Sequence, residues 1–177
     1  MGLRPRQDCE ALWRGLADGR LSTLATDEYA TSYAVKMAGT DIESTPGGHV
    51  GIETRGLIGL SEGVGKRGLS LPRFVEVFAT NPARVTGLYP RKGVIAPGSD
   101  ADLVLWEPDV EHTITIDDLH HDGDYSPWEG WQVKGWPVTT ILRGTAVVEN
   151  GTLGVQPGFG RFVPRKLDLD ALTRPLF

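Results

Sequence analysis

The chain has 177 residues, with 18 Lys and Arg against 23 Asp and Glu and a formal net charge of −5. That length holds one ordinary domain with its own core, but not a complete (β/α) barrel, which takes roughly 250 residues. The charges are mixed along the chain, so the basic footprint of a nucleic-acid binder is absent, and no apolar run is long enough to span a bilayer.

The opening residues MGLRPRQDCE show no apolar core of a signal peptide. A single cysteine, Cys9, excludes an internal disulfide framework, and a cytoplasmic protein is expected. Asp8 to Asp18 predicts an amphipathic helix. Cys9, Leu12, Trp13, Leu16 and Ala17 recur at helical spacing, which makes Cys9 a small core residue, and Gly19 closes the helix. Leu21 to Thr26 predicts a short strand that ends at Asp27-Glu28. Helix, tight connection, strand and terminal acid form a fragment of βαβ grammar.

Glu28 to Val50 reads as a long loop, of a length that is functional or mobile inside a compact protein. It carries weak helical periodicity around Tyr33 to Met37 and a turn at Pro46-Gly47-Gly48. Gly51 to Gly63 has helical apolar positions at Ile52, Leu57, Ile58 and Leu60, weakened by internal glycines. Ser70 to Thr80 predicts a stronger helix. Ser70 is its N-cap, Pro72 lies in its first turn, and Leu71, Phe74, Val75, Phe78 and Ala79 form its buried stripe.

Thr80 to Pro108 is where a helical layer hands over to a sheet layer. Asn81 is expected to N-cap a short helix, with Pro82 at its first position and Gly87 at its end. Pro90 to Gly93 predicts a turn and Val94 to Ala96 a short strand. Pro97-Gly98 is a second turn, with Gly98 at positive φ. Ala101 to Trp106 is the apolar run of a strand buried on both faces. Further strands are predicted over Glu111–Ile116, Val138–Leu142 and Thr145–Val148. Arg143-Gly144 joins the last two, and Asn150-Gly151 is a turn signal. The tail from Val155 to Phe177 mixes Gly, Pro and Arg with a weak helical LDLDAL pattern, and suits a partner surface.

Asp27 is the sharpest chemical candidate, a carboxylate at the C-terminal end of a predicted strand, where barrel enzymes hold their active sites. Such an Asp also serves as a plain cap or turn residue. His49, His112, His120 and His121 show no metal-ligand spacing, and His120-His121 reads as surface loop. Trp128, Trp131 and Trp136 suit either a stacking platform or, more simply, packing of a sheet face or subunit contact.

The helix NPA…GL followed by PRKGVIAPGSDADLVLW, then EGWQVKGWPVTTILRG and PGFGRFVPR, resembles the C-terminal region of the cyclic amidohydrolases. Within them it resembles the dihydropyrimidinase/hydantoinase group, from about Leu3 to about Arg165. The resemblance implies an α/β fold: the C-terminal part of a metal-dependent (β/α)8 TIM barrel, followed by strands of a β-sandwich. Residues 1–87 would be barrel, 88–150 sandwich strands, and 151–177 a tail for subunit contact, with Arg161 and Arg165 reaching a neighbour.

The family reaction implied is zinc-dependent hydrolytic ring opening of a small cyclic amide, a dihydropyrimidine or hydantoin, by a homotetramer carrying a pair of metal ions. Asp27 matches the family aspartate that binds one metal ion and accepts the proton of the attacking hydroxide. Gly47 and Gly48 match the loop whose backbone groups meet the ring amide of the substrate; read alone, that loop is a plain turn. Glu28 and Tyr29 stand where the family has His and Cys, and Gly47 stands where hydantoinases tend to have Asn.

The family's HxH pair, bridging lysine and two further histidines have no counterpart in the sequence. The chain is therefore expected to be an inactive C-terminal portion. It would be a truncated product, or one half of a split enzyme whose partner is an N-terminal barrel half. A non-catalytic interaction or scaffolding module is the alternative of a different class.

Overall fold

Helices fill the first half of the chain and strands the second, following the change from helical spacing to period-two alternation. The computed structural model describes residues 4–167 and 169. The helices are α1 (Arg6–Ala17), α2 (Tyr33–Met37), α3 (Thr54–Ile58), α4 (Leu71–Val75) and α5 (Asn81–Val85). The strands are β1 (Leu103–Thr113), β2 (Gln132–Leu142), β3 (Thr145–Glu149) and β4 (Thr152–Leu153). Among the described residues no helix is long and apolar enough to cross a membrane.

Helix α3 continues as a π-helix over Gly59–Lys66, so one helical rod runs from Thr54. Helix α4 passes through a second π segment, Glu76–Thr80, into α5. Ser70 caps this second rod as predicted, its hydroxyl accepting from the Arg73 N–H at 3.3 Å. Asn81 is not a cap. It sits inside the rod at φ −69° and ψ −40°, and its N–H donates five residues back, to the Glu76 carbonyl. The wide turn explains the difference. Proline has no N–H and its ring crowds the preceding turn, and an i→i−5 step makes room for Pro82 without ending the helix.

The predicted strand Leu21–Thr26 is extended but belongs to no sheet among the described residues. A strand needs a neighbouring strand, and here helical groups take that place. Leu24 donates its N–H to the Val77 carbonyl at 2.9 Å. The carbonyls of Leu21, Ser22 and Leu24 accept from Arg73, Asn81 and Arg55 at 3.0, 2.9 and 2.8 Å. Helix α1 forms as predicted, but only its C-terminal turn, with Gly15 and Leu16, is buried. Cys9 is exposed, contrary to its expected core role, because among the described residues nothing packs against the outer half of the apolar stripe.

The four strands form one antiparallel sheet in the order β1-β2-β3-β4. Arg143-Gly144 (φ 51° and 80°) and Asn150-Gly151 (φ 48° and 76°) are both two-residue loops with consecutive positive φ, the geometry that matches strand twist. Strand β1 starts near the predicted Ala101 and takes in the first half of the predicted Glu111–Ile116 strand. Its path then ends at a single 3₁₀ turn, Ile116–Asp118.

Burial on both faces is not found for β1. It is an edge strand, and Leu105 is 50% exposed. Its pairing with β2 is interrupted between Leu105 and Trp106 and again between Glu107 and Glu111. Val94–Ala96 is not a strand either. Lys92 bridges Asp100 at 2.9 Å and also contacts Asp102, which draws this stretch into a closed loop.

The core forms where helix meets sheet. Leu57 and Ile58 pack on Ile114 and Val133, with Trp106, Trp128 and Trp136 around them. Gly56 permits the approach, since a Cβ there would stand 3.2 Å from both Phe78 and Trp106. The predicted LDLDAL helix lies largely outside the described residues.

Candidate functional site

Asp27 ends the extended segment in the left-handed region, at φ 51°, which a β-carbon makes unfavourable outside glycine. It is exposed. The next two residues tie it to the 46–52 loop. One Glu28 carboxylate oxygen accepts the N–H groups of Gly51, at 2.8 Å, and of Ile52. These amides lead into the rod that begins at α3, so an anion there also meets the positive end of the helix. The Tyr29 N–H donates to the His49 carbonyl at 3.2 Å.

The 46–48 loop is held from its other side by Lys36. Its ammonium donates to the Pro46 carbonyl at 2.6 Å and the Gly48 carbonyl at 2.5 Å. Lys36 is placed by α2, whose Ser32 cap accepts from the Val35 N–H at 3.3 Å. Gly48 needs its missing side chain, having φ 85° and Tyr29 pressed against it. Gly47 is different: a Cβ there would meet nothing within 4 Å. Between α2 and this loop, the Asp41 carboxylate accepts from the Glu43 and Ser44 N–H groups and the Ser44 hydroxyl. The Ser44 hydrogen bonds hold its pKa below the usual carboxylate value.

The structure therefore brings the Asp27 segment and the Gly47-Gly48 loop together. A further contributor was not foreseen from sequence. Residues 120–125 pack against α2 and the 50–53 stretch that follows the loop, with Asp124 accepting the Tyr33 N–H at 2.5 Å, Tyr125 meeting the Tyr33 ring edge-on at 5.8 Å and Gly123 lying beside Val50. His120 donates its backbone N–H to Glu53 at 2.6 Å, and its Nδ1 lies 3.0 Å from the same carboxylate, which raises the imidazole pKa. On its other flank, Asp118 lies 2.9 Å from His112 Nε2. The charged pattern DDLHHDGD is the one signal in the sequence for this clasp, and it names no partners. The tryptophans take the packing role: Trp128 and Trp136 lie against the core.

Among the described residues no group of three or more His, Cys, Asp or Glu side chains could hold a metal ion. Asp27 offers one oxygen donor set, while Glu28 is engaged by backbone amides. A zinc centre takes about three protein ligands or more, so the donors among the described residues do not make one. A separate apolar cavity of about 500 Å³ lies between α3 and the sheet, lined by Ile52, Phe78, Trp106, Trp136, Val138 and Leu153 among others. Its lining does not include Asp27, Gly47 or Gly48.

Known proteins resemble this chain over most of its length. The Amidohydrolase family matches residues 3–147. A D-hydantoinase of Rhizobium radiobacter is 41% identical over 165 residues, covering 92% of this chain and 36% of the relative. The crystal structure of a dihydropyrimidinase from Brevibacillus agri superposes with a TM-score of 0.89 at 39% identity, covering 92% of this chain and 36% of that one. An L-hydantoinase (dihydropyrimidinase) from Arthrobacter aurescens gives a TM-score of 0.80 at 40% identity, covering 87% and 34%. The chain thus spans about a third of the length of the relatives it matches.

Proposed function

Because the chain belongs to the Amidohydrolase family, in its dihydropyrimidinase/hydantoinase group, we propose that it is the C-terminal portion of an enzyme that opens a cyclic amide ring by hydrolysis. In this reading residues 1–87 complete a (β/α) barrel, 88–150 supply strands of a sandwich, and 151–177 reach a subunit neighbour. Asp27 would give one carboxylate ligand to a zinc centre completed by other polypeptide, which would supply an activated water, and the same carboxylate would accept that water's proton. The backbone of Gly47 and Gly48 receives the ring amide of a hydantoin or dihydropyrimidine. The other metal ligands come from other polypeptide, so this chain alone is inactive.

The observation that carries this reading is the tie between the Asp27 segment and the 46–52 loop, through Glu28 to Gly51 and Tyr29 to His49. A carboxylate and a backbone recognition loop are held side by side, as attack on a bound amide requires. The need for more polypeptide has its own support. Among the described residues the segment Leu21–Thr26 has no strand beside it, and the apolar stripe of α1 is largely bare. The partner is an N-terminal barrel half or further copies in a homo-oligomer.

Hydrolysis of hydantoin and dihydrouracil, with zinc present, tests the proposal. The purified chain should give no turnover, and adding the barrel-bearing portion of a D-hydantoinase should restore it. Turnover by the chain alone would overturn its inactivity. Tight association without turnover would favour a scaffolding role instead.

A further inference from the structure

We infer that Lys36 is a positioning residue for substrate recognition, fixing the 46–49 backbone so that the amides of Gly47 and His49 stay turned outward as open donors to the carbonyl oxygens of a cyclic amide. This rests on the proposed reading of the loop as substrate-binding and adds a residue to it.

The geometry follows from peptide planarity. The Lys36 ammonium is bound by two carbonyls, of Pro46 at 2.6 Å and of Gly48 at 2.5 Å. The peptide bond between Tyr89 and Pro90 is the one cis bond among the described residues, so the 46–47 and 48–49 units are trans. In a trans peptide the N–H points opposite the C=O. The Gly47 N–H and the His49 N–H therefore both point away from the ammonium. One cation sits at the carbonyl end of both peptide units, and the two N–H groups spread away from it. Neither amide has a protein hydrogen-bond partner among the described residues, and both residues are exposed.

Two consequences favour an oxygen ligand in front of them. Each of these exposed N–H groups is an open donor that a carbonyl oxygen of a ligand satisfies. A cation on the carbonyl side also polarises each peptide unit, which strengthens its N–H as a donor. No neighbouring side chain blocks the approach at Gly47, where even an added Cβ would find open space. Glu28 holds the following turn through Gly51 and Ile52, so the 46–52 backbone is fixed at one end by a cation on its carbonyls and at the other by an anion on its amides. The ligand class is a neutral cyclic amide presenting a carbonyl oxygen.

The test is amide-resolved NMR of the isotopically labelled full chain titrated with hydantoin, for the wild type, Lys36→Met and Lys36→Arg. Hydantoin should move the Gly47 and His49 amide signals of the wild type. Lys36→Met should displace those two signals in the free chain and weaken hydantoin binding about tenfold. Lys36→Arg, which keeps the charge and two donors, should retain most of the affinity. Unchanged signals of Val50, Val77 and Ile114 show that the fold is kept, and Lys36→Gln is the second neutral variant should Lys36→Met lose them. A neutral variant that keeps its core signals and binds hydantoin like the wild type overturns the role of Lys36 and leaves the substrate reading standing. A wild type that does not respond at Gly47 or His49 overturns the substrate reading, and this role with it.

Discussion

Tyr29 closes the space beside Gly48: a Cβ built on Gly48 would stand 2.5 Å from the Tyr29 Cβ, while the neighbouring Gly47 faces nothing within 4 Å. Two adjacent glycines thus have opposite tolerances. Gly48→Ala must relieve both the clash and φ 85°, and should destabilise the chain by about 1–3 kcal/mol. Gly47→Asn should change stability by less than about 0.5 kcal/mol. Urea denaturation of the two variants separates them, and equal losses would show that the Tyr29 contact is not made.

Asn81 is buried and its side-chain amide donates to the Ser22 carbonyl at 2.9 Å. Asn81→Ala would leave that carbonyl short of a partner and open a small void, a cost of about 1–3 kcal/mol. The effect should spread to the extended segment. Faster hydrogen exchange at the Leu24 amide, which is bonded to Val77, should accompany the loss in denaturant midpoint.

The parts of this fold legible in the sequence are those fixed by short-range chemistry. Ser70 caps its helix, Tyr33–Met37 is helical, and Arg143-Gly144 and Asn150-Gly151 turn the chain between strands. What was not legible depends on distant neighbours. Leu21–Thr26 has strand composition, yet its carbonyls are met by Arg73, Asn81 and Arg55 from helices far along the chain. Asn81-Pro82 has the composition of a helix start, and a widened turn lets the helix run through it. Cys9 follows the apolar period of α1, but periodicity does not say whether anything covers the stripe. At the candidate site the Asp27 segment and the Gly47-Gly48 loop could be named. Their attachment through Glu28, Lys36 and residues 120–125 rests on pairings without a sequence spacing.

Asp27 keeps a backbone conformation that glycine would adopt more easily, at φ 51°. Asp27→Gly should therefore leave stability unchanged or raise it by up to about 1 kcal/mol. The same substitution should abolish any turnover restored by a barrel-bearing partner. Thermal denaturation and the reconstituted hydantoin assay check the two halves, and a clear loss of stability would mean that the carboxylate has a structural role.

Glu62 is buried between Lys66 at 2.6 Å and Arg67 at 2.5 Å. Burial pushes its pKa up, but the hydrogen bonds and charges of Lys66 and Arg67 outweigh that and hold it below the ordinary 4.5. The native carboxyl thus gives up its proton at lower pH than the unfolded one. Its stabilisation is present above that ordinary value and is lost as pH falls through the native one. Glu62→Gln should cost about 1–2 kcal/mol at neutral pH, since Lys66 and Arg67 are partly solvated, and should flatten the acid limb of the stability curve. Denaturation followed from neutral to acid pH measures this, and parallel curves for variant and wild type would remove Glu62 from the acid response.

The outer margin of the sheet has a consequence for handling at high concentration. Pro108 lacks a ladder donor, Glu107, Asp109 and Glu111 repel a like strand, and the pairing breaks between Glu107 and Glu111. Lys134 ties Asp109 to the sheet at 2.9 Å without removing that acidic character. This margin is a poor template for fibril growth. The extended stretch near Leu24 has no such guard, so precipitation of the isolated chain should begin there, and a charge placed at the exposed Thr23 or Ala25 should delay it before any change along β1 does.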